Sequence, residues 1–414
     1  VHERPAPVQI LERASTGGRV PPQDAAELTR AWLDGGADEA QMAALCALGW
    51  EAGSTATLVE VVLEAGDRLE LARLGETGGI VSAGAVGDPS EIAAAVLAAA
   101  IGVRVAMLVG AAAGPVIGTE DKLGAIPGLK VGLAAQDVAL GARDEGIVMG
   151  APVGRLAAGY RRLARLAEGT GLARSPAVVA PLLAVRGLAA GPAALVVDVP
   201  EGPGAVLPEG TPTGEEVDAA LTSRGRAVTV AEAATAGPLG PMIGTALEVG
   251  VVAEVLRGEG DERVAERAVA LAGTLADLAM GRDDASGAAE ARAALEGGAG
   301  LLAAERWVES QGGHPDVWTD PALLAQAPTQ LEVGAPGAGT VAALDAGLLA
   351  ETARWLGAGR LHPRQAIDFA AGVEVLVREG DRVEQGEPVL VLHGRAPDMV
   401  RAVVDVAATA VTVA

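Results

Sequence analysis

From about residue 77 onward, short apolar runs of strand length alternate with long Ala-rich helical stretches, an order that few folds accept. Val103–Val109 and Ala194–Val199 are such runs, each bounded by Gly or Pro, while Ile92–Ala100 and Asp261–Met280 read as helices. A continuous apolar run suits a strand buried on both faces. The pattern therefore implies parallel βαβ units with helices covering both sides of a sheet. Half of the residues are hydrophobic but only 2% are aromatic, so the core must be Ala, Val and Leu packed closely.

Different patterns flank this region. Asp24–Leu33 and Asp38–Trp50 have helical period, and Gly53-Ser54-Thr55 offers a cap before a helix over Ala56–Glu64. Glu168–Ala190 is helical again and can rejoin this first lobe. Beyond Ala327-Pro328, Gly372–Val383 and Gly386–Leu392 read as alternating strands around a Glu-Gly-Asp turn. The expected fold class is thus α/β: a helical lobe, a central α/β domain with a mixed or parallel sheet, and a C-terminal α+β domain. The expected boundaries are 1–66 with about 157–190, then 70–156 with 191–326, then 327–414. The tail superficially suggests a biotinyl or lipoyl carrier, but the only lysines are Lys122 and Lys130, so no hairpin-tip lysine exists and that role is excluded.

A formal charge of −23 argues against nucleic acid or an anionic membrane as partner. Cys46 is the only cysteine and lies in an apolar run, which excludes an internal disulfide and implies a buried thiol. His2, His314, His362 and His393 are far apart in sequence and form no short metal-ligand pattern, so neither a metal nor another cofactor is expected. No basic segment followed by an apolar stretch opens the chain, and Ala93–Ile101 is too short to span a bilayer. A soluble, cytoplasmic protein is expected.

Thr119-Glu120-Asp121-Lys122-Leu123-Gly124-Ala125-Ile126-Pro127-Gly128 resembles the signature Gly-Thr-Leu-Asp-Lys-Leu-Glu-Ser-Ile-Pro-Gly of the thymidine and pyrimidine nucleoside phosphorylases. Further motifs follow in the family's order: Gly66-Asp67-Arg68-Leu69, Leu188–Gly191 through Val197-Asp198-Val199, Gly237-Pro238-Leu239-Gly240 with Gly244–Val249, and Gly357-Ala358-Gly359-Arg360. The resemblance covers most of the chain. It implies a homodimer with a cleft between the helical and α/β lobes, in which phosphate attacks an anomeric carbon as a pyrimidine leaves. That reaction needs a cationic cradle for phosphate and groups that stabilise charge on the departing base.

Against the family's phosphate loop, Lys-His-Ser-Thr-Gly-Gly, this chain places Leu74, Gly75, Glu76, Thr77, Gly78 and Gly79, with six extra residues, Ile80–Ala85, before Val86-Gly87-Asp88. In the resemblance the second and third phosphate serines fall on Glu91 and Val109, and Thr119 alone keeps a phosphate contact. On the base side the family's Tyr, Arg and Ser become Ala164, Ala167 and Leu182, and Arg186 stands at its lysine. Thr77, Gly78, Gly79, Thr119, Arg165 and Arg186 are accordingly the expected ligand contacts. Glu76, Glu168 and Arg186 are the expected catalytic groups. Thr119 can equally be a turn residue, Arg165 a helix-surface cation, Asp121 and Lys122 a structural ion pair, and the carboxylates Glu76, Glu91, Glu120 and Glu168 a dispersed acidic surface. The resulting expectation is a divergent member whose cleft takes a nucleoside-like or other small ring ligand without ordinary phosphorolysis. A catalytically silent binding or scaffold protein is the first alternative, and residual phosphorolysis the second.

Overall fold

The computed structural model describes residues 6–51, 53–207, 211, 213–362 and 364–414; His2 lies outside them. Four helices open the chain: α1 (Pro7–Ser15), α2 (Pro22–Leu33), α3 (Glu39–Leu48) and α4 (Ser54–Glu64). Asp38 caps α3 by accepting the Gln41 N–H at 2.8 Å, a reciprocal capping box. Then follow β1 (Thr77–Ser82), α5 (Ser90–Ala100), β2 (Arg104–Leu108), α6 (Thr119–Gly124), β3 (Gly132–Leu133), α7 (Ala135–Leu140) and β4 (Ile147–Pro152). Next come α8 (Ala158–Thr170), α9 (Pro176–Ala190), β5 (Ala194–Glu201), α10 (Thr213–Thr222), β6 (Ala227–Ala234) and β7 (Met242–Ile243). The helices α11 (Thr245–Leu256), α12 (Glu262–Met280), α13 (Gly287–Glu296) and α14 (Ala299–Ser310) precede the tail. The tail contains β8 (Thr329–Gly334), β9 (Gly339–Leu344), α15 (Ala346–Leu356), β10 (Gly372–Val375), β11 (Arg382–Val383), β12 (Pro388–Gly394), α16 (Pro397–Arg401), α17 (Val404–Ala408) and β13 (Val411–Val413).

The central sheet has the order β3-β4-β2-β1-β5-β6, and every pairing in it is parallel. The chain moves outward from β1 through β2 to β4, then returns to the other side of β1 as β5. That reversal opens a crevice at the carboxyl ends of the strands, where ligands of open α/β sheets bind. One sheet face shares a core with the helical lobe, through α9 and residues such as Leu163, Val185 and Val197. The other face is covered by α5 and α11–α14, around Val96, Val252 and Leu275. The tail has its own core, including Leu349, Val373 and Leu392.

Two local expectations are corrected. The helical stretch Glu168–Ala190 divides, because Gly171 takes the left-handed conformation (φ 75°) that ends α8, and Pro176 opens α9 after Ser175. In the tail, the run Gly372–Val383 divides at Gly380 (φ 94°) into β10 and β11. These belong to different sheets, β7-β10-β12-β8 and β11-β9-β13, because the turn carries the chain between layers. Among the described residues no helix is long and apolar enough to cross a membrane. Cys46 is buried, which pushes its thiol up to about 12.

Candidate functional site

A cavity of about 560 Å³ opens at the carboxyl ends of β1, β2 and β4. Its volume lies in the range that encloses a small organic ligand. Ser82–Ala85 and Gly110–Ala113 form its floor; α8 and α9 cover it, and Arg360 enters from the tail. Two glycines make this geometry possible. A Cβ on Gly118 would lie 2.2 Å from the Ala111 carbonyl carbon, so only glycine lets α6 start against that loop. A Cβ on Gly110 would lie 2.6 Å from the Tyr160 hydroxyl and 2.9 Å from Arg186 Nη1, the space those groups now fill.

The strand corrects the expected loop. β1 ends at Ser82, so Glu76 and Thr77 sit at its amino end and do not line the cavity. Glu76 is exposed there, and its carbonyl accepts the Arg104 N–H. Thr77 is buried and accepts the Ala193 N–H at 2.9 Å. Gly78 and Gly79 serve packing: a Cβ on Gly78 would lie 2.8 Å from Leu275 Cδ1, and one on Gly79 would lie 3.0 Å from the Ala106 carbonyl oxygen. No six-residue insertion is needed. Lys-His-Ser-Thr-Gly-Gly then falls on Ile80–Ala85 and runs directly into Val86-Gly87-Asp88. The loop serine is Ser82, and the lysine's place is held by Ile80, buried in β1. Val86-Gly87-Asp88, aligned without a gap, is the sequence signal that locates this loop.

At the floor, charges pair closely. Ser82 donates to Asp198 at 2.6 Å, and Arg267 joins Asp198 at 2.5 Å to Asp88 at 3.2 Å. Burial pushes Asp198 up to about 7, although the guanidinium works against it. Lys122 does not pair with Asp121. Successive helical residues point apart, so Lys122 meets Glu248 at 2.8 Å and donates to the Asp88 carbonyl at 2.6 Å. Burial opposes its charge, but Glu248 holds the ammonium above its usual range. Asp121 instead accepts the Ala112 N–H and pairs with Arg360 at 3.0 Å. Val109 is buried in the sheet's core and does not line the cavity.

Thr119, Glu168, Arg165 and Arg186 all line the cavity, together with Glu91 and Glu120. The Thr119 hydroxyl donates to the Glu91 carboxylate, which stands at the amino end of α5, where the helix dipole favours an anion. Arg186 donates to the Ser82 carbonyl at 3.1 Å and hydrogen-bonds Tyr160, the sole tyrosine. Arg165 is exposed at the rim, and Glu168 lies 3.9 Å from Arg360. Ala164, Ala167, Val179, Leu182 and Leu183 give the helical side an apolar wall. The Glu120 N–H donates to the Gly110 carbonyl, but its carboxyl is engaged by no hydrogen bond or ion pair among the described residues. Burial, with Asp121 adding and Arg360 subtracting, pushes its carboxyl up to about 7.

Solved structures of anthranilate phosphoribosyltransferases share this fold. The Thermus thermophilus enzyme (TrpD) superposes with a TM-score of 0.59 at 20% identity, covering 73% of this chain and 99% of that one. The Saccharomyces cerevisiae enzyme in complex with PRPP and Mg gives 0.55 at 13% identity, covering 74% and 97%. At such identities the likeness shows the fold alone. Residues 340–414 match the pyrimidine nucleoside phosphorylase C-terminal domain. The pyrimidine-nucleoside phosphorylase of Bacillus subtilis (strain 168) is 35% identical over 320 residues, covering 75% of this chain and 73% of that protein. That of Geobacillus stearothermophilus is 29% identical over 398 residues, covering 93% and 91%. The chain belongs to the pyrimidine-nucleoside phosphorylase family.

Proposed function

We propose that the cavity takes a nucleoside-like ligand and that its glycosyl chemistry uses water in place of phosphate. The observation that carries this reading is the Glu91 carboxylate, bonded by the Thr119 hydroxyl on which the family resemblance seats phosphate. A phosphate dianion placed ~4 Å from that carboxylate meets roughly 1–4 kcal/mol of repulsion per charge pair. The usual counter-cation is replaced by Ile80, and Lys122 is already neutralised by Glu248. The apolar wall of Ala164, Ala167 and Leu182 suits a ring, with Arg186, Arg165 and Glu168 beside it. In this reading Thr119 orients Glu91, and Glu91 accepts a proton from the attacking water. A soluble cytoplasmic homodimer is part of the same proposal, and sedimentation of the purified protein checks the dimer.

Titrating inorganic phosphate into the protein tests the reading, with the melting temperature and binding heat as readouts. No response is expected from the wild type, whereas Glu91→Ser is expected to gain phosphate binding. Thymidine, uridine or deoxyuridine should raise the wild-type melting temperature. Tight phosphate binding by the wild type, or no response to any nucleoside, contradicts the proposal.

A further inference from the structure

We propose that Glu120 is the acid of this cavity, handing its proton to the ring that departs from a nucleoside-like substrate; this role rests on the hydrolytic reading above. Of the carboxylates lining the cavity, Asp88 is held by Arg267, Glu91 by Thr119, and Glu168 faces Arg360. Only the Glu120 carboxyl has neither a hydrogen bond nor an ion pair among the described residues. It is also this chain's own departure from the signature Thr-Leu-Asp-Lys, which carries an apolar residue at that place. An unpaired carboxyl in a largely buried cavity is costly unless a ligand uses it.

The surroundings favour an acid over a second base. On the helical side Ala164, Ala167 and Leu182 are apolar, Arg165 is exposed at the rim beside Arg161, and the Arg186 guanidinium is tied to the Ser82 carbonyl and Tyr160. Charge developing on a leaving ring then needs another form of neutralisation, and a proton supplies it. The charges acting on Glu120 are Asp121 on its own helix, Glu168 on α8, Arg186 on α9 and Arg360 from the tail, and Tyr160 also interacts with it. Asp88, Glu91, Lys122, Arg161 and Arg165 share the cavity lining. Burial leads this set and keeps the neutral, donating form populated at neutral pH.

The step balances. Water oxygen bonds to the anomeric carbon as the carbon–ring bond breaks and its electron pair moves onto the ring. The Glu120 proton joins the ring, and Glu91 takes a proton from the water. Proton exchange with solvent restores both carboxyls, giving free pentose and free base. Two carboxyls dividing acid and base roles is the logic of inverting glycoside hydrolysis.

Glu120→Gln tests this, with two substrates. On a nucleoside, kcat should fall by roughly 10²–10³ with little change in KM. On a 4-nitrophenyl β-riboside, whose phenolate leaves without a proton, the variant should keep the wild-type rate. The wild-type rate on a nucleoside should decline above about 7, and that limb should vanish in the variant. Equal losses on both substrates would mean a structural role and overturn the assignment, as would no loss on either. No base release by the wild type would overturn the hydrolytic function and this role together.

Discussion

Glu120 links one residue to the stability of the whole chain. Its folded carboxyl is pushed up to about 7, chiefly by burial, above an ordinary Glu. The native state therefore binds more protons than the unfolded chain between about 4.3 and 7, so its stability falls as pH rises through that window. Glu120→Gln should melt higher than the wild type at pH 8, with the gap shrinking towards pH 5; an equal gap at both values contradicts the burial account. The residue was hard to recognise in the sequence, where it reads as one more acid in a chain of charge −23. Thr119, Arg186 and Glu168 were legible because each stands in a gapless run beside a family motif. Arg360 stands in the motif Gly357-Ala358-Gly359-Arg360, yet its pairing with Asp121 spans over two hundred positions that no local pattern connects.

At the scale of elements, the Gly78-Gly79 pair packs β1 and does not line the cavity as an anion loop would. Glycines near a turn suggest an anion loop, but here they let α12 and β2 approach β1 closely. Gly78→Ala should cost about 1–3 kcal/mol in chemical denaturation through overpacking, and leave ligand affinity unchanged. A loss of affinity without a loss of stability would return the loop to the amino end of β1. The helix α12 also delivers Arg267 to Asp88 and Asp198 at the sheet's switch point. Arg267→Met should destabilise by roughly 3–5 kcal/mol, because two buried carboxylates lose their partner. The helices and parallel strands were legible from period and apolar runs. The division at Gly171 and the transfer between tail sheets at Gly380 were not, since both depend on a backbone conformation that composition does not specify.

Across the whole molecule, Arg360 ties the tail to α6 through Asp121 and approaches α8 through Glu168, so three parts of the chain meet at the cavity mouth. Arg360→Ala should weaken nucleoside binding about tenfold, a loss of about 1.4 kcal/mol, measurable by calorimetry. In the proposed reading, the end of the cavity where the family resemblance seats phosphate carries the chain's own Glu91 carboxylate, bonded by Thr119. The direct measurement of that claim is the rate of base release from a nucleoside as inorganic phosphate is raised from none to saturating levels. The expected result is a rate independent of phosphate, with free pentose as the product. A rate that rises with phosphate to a plateau, with pentose phosphate as the product, would contradict it.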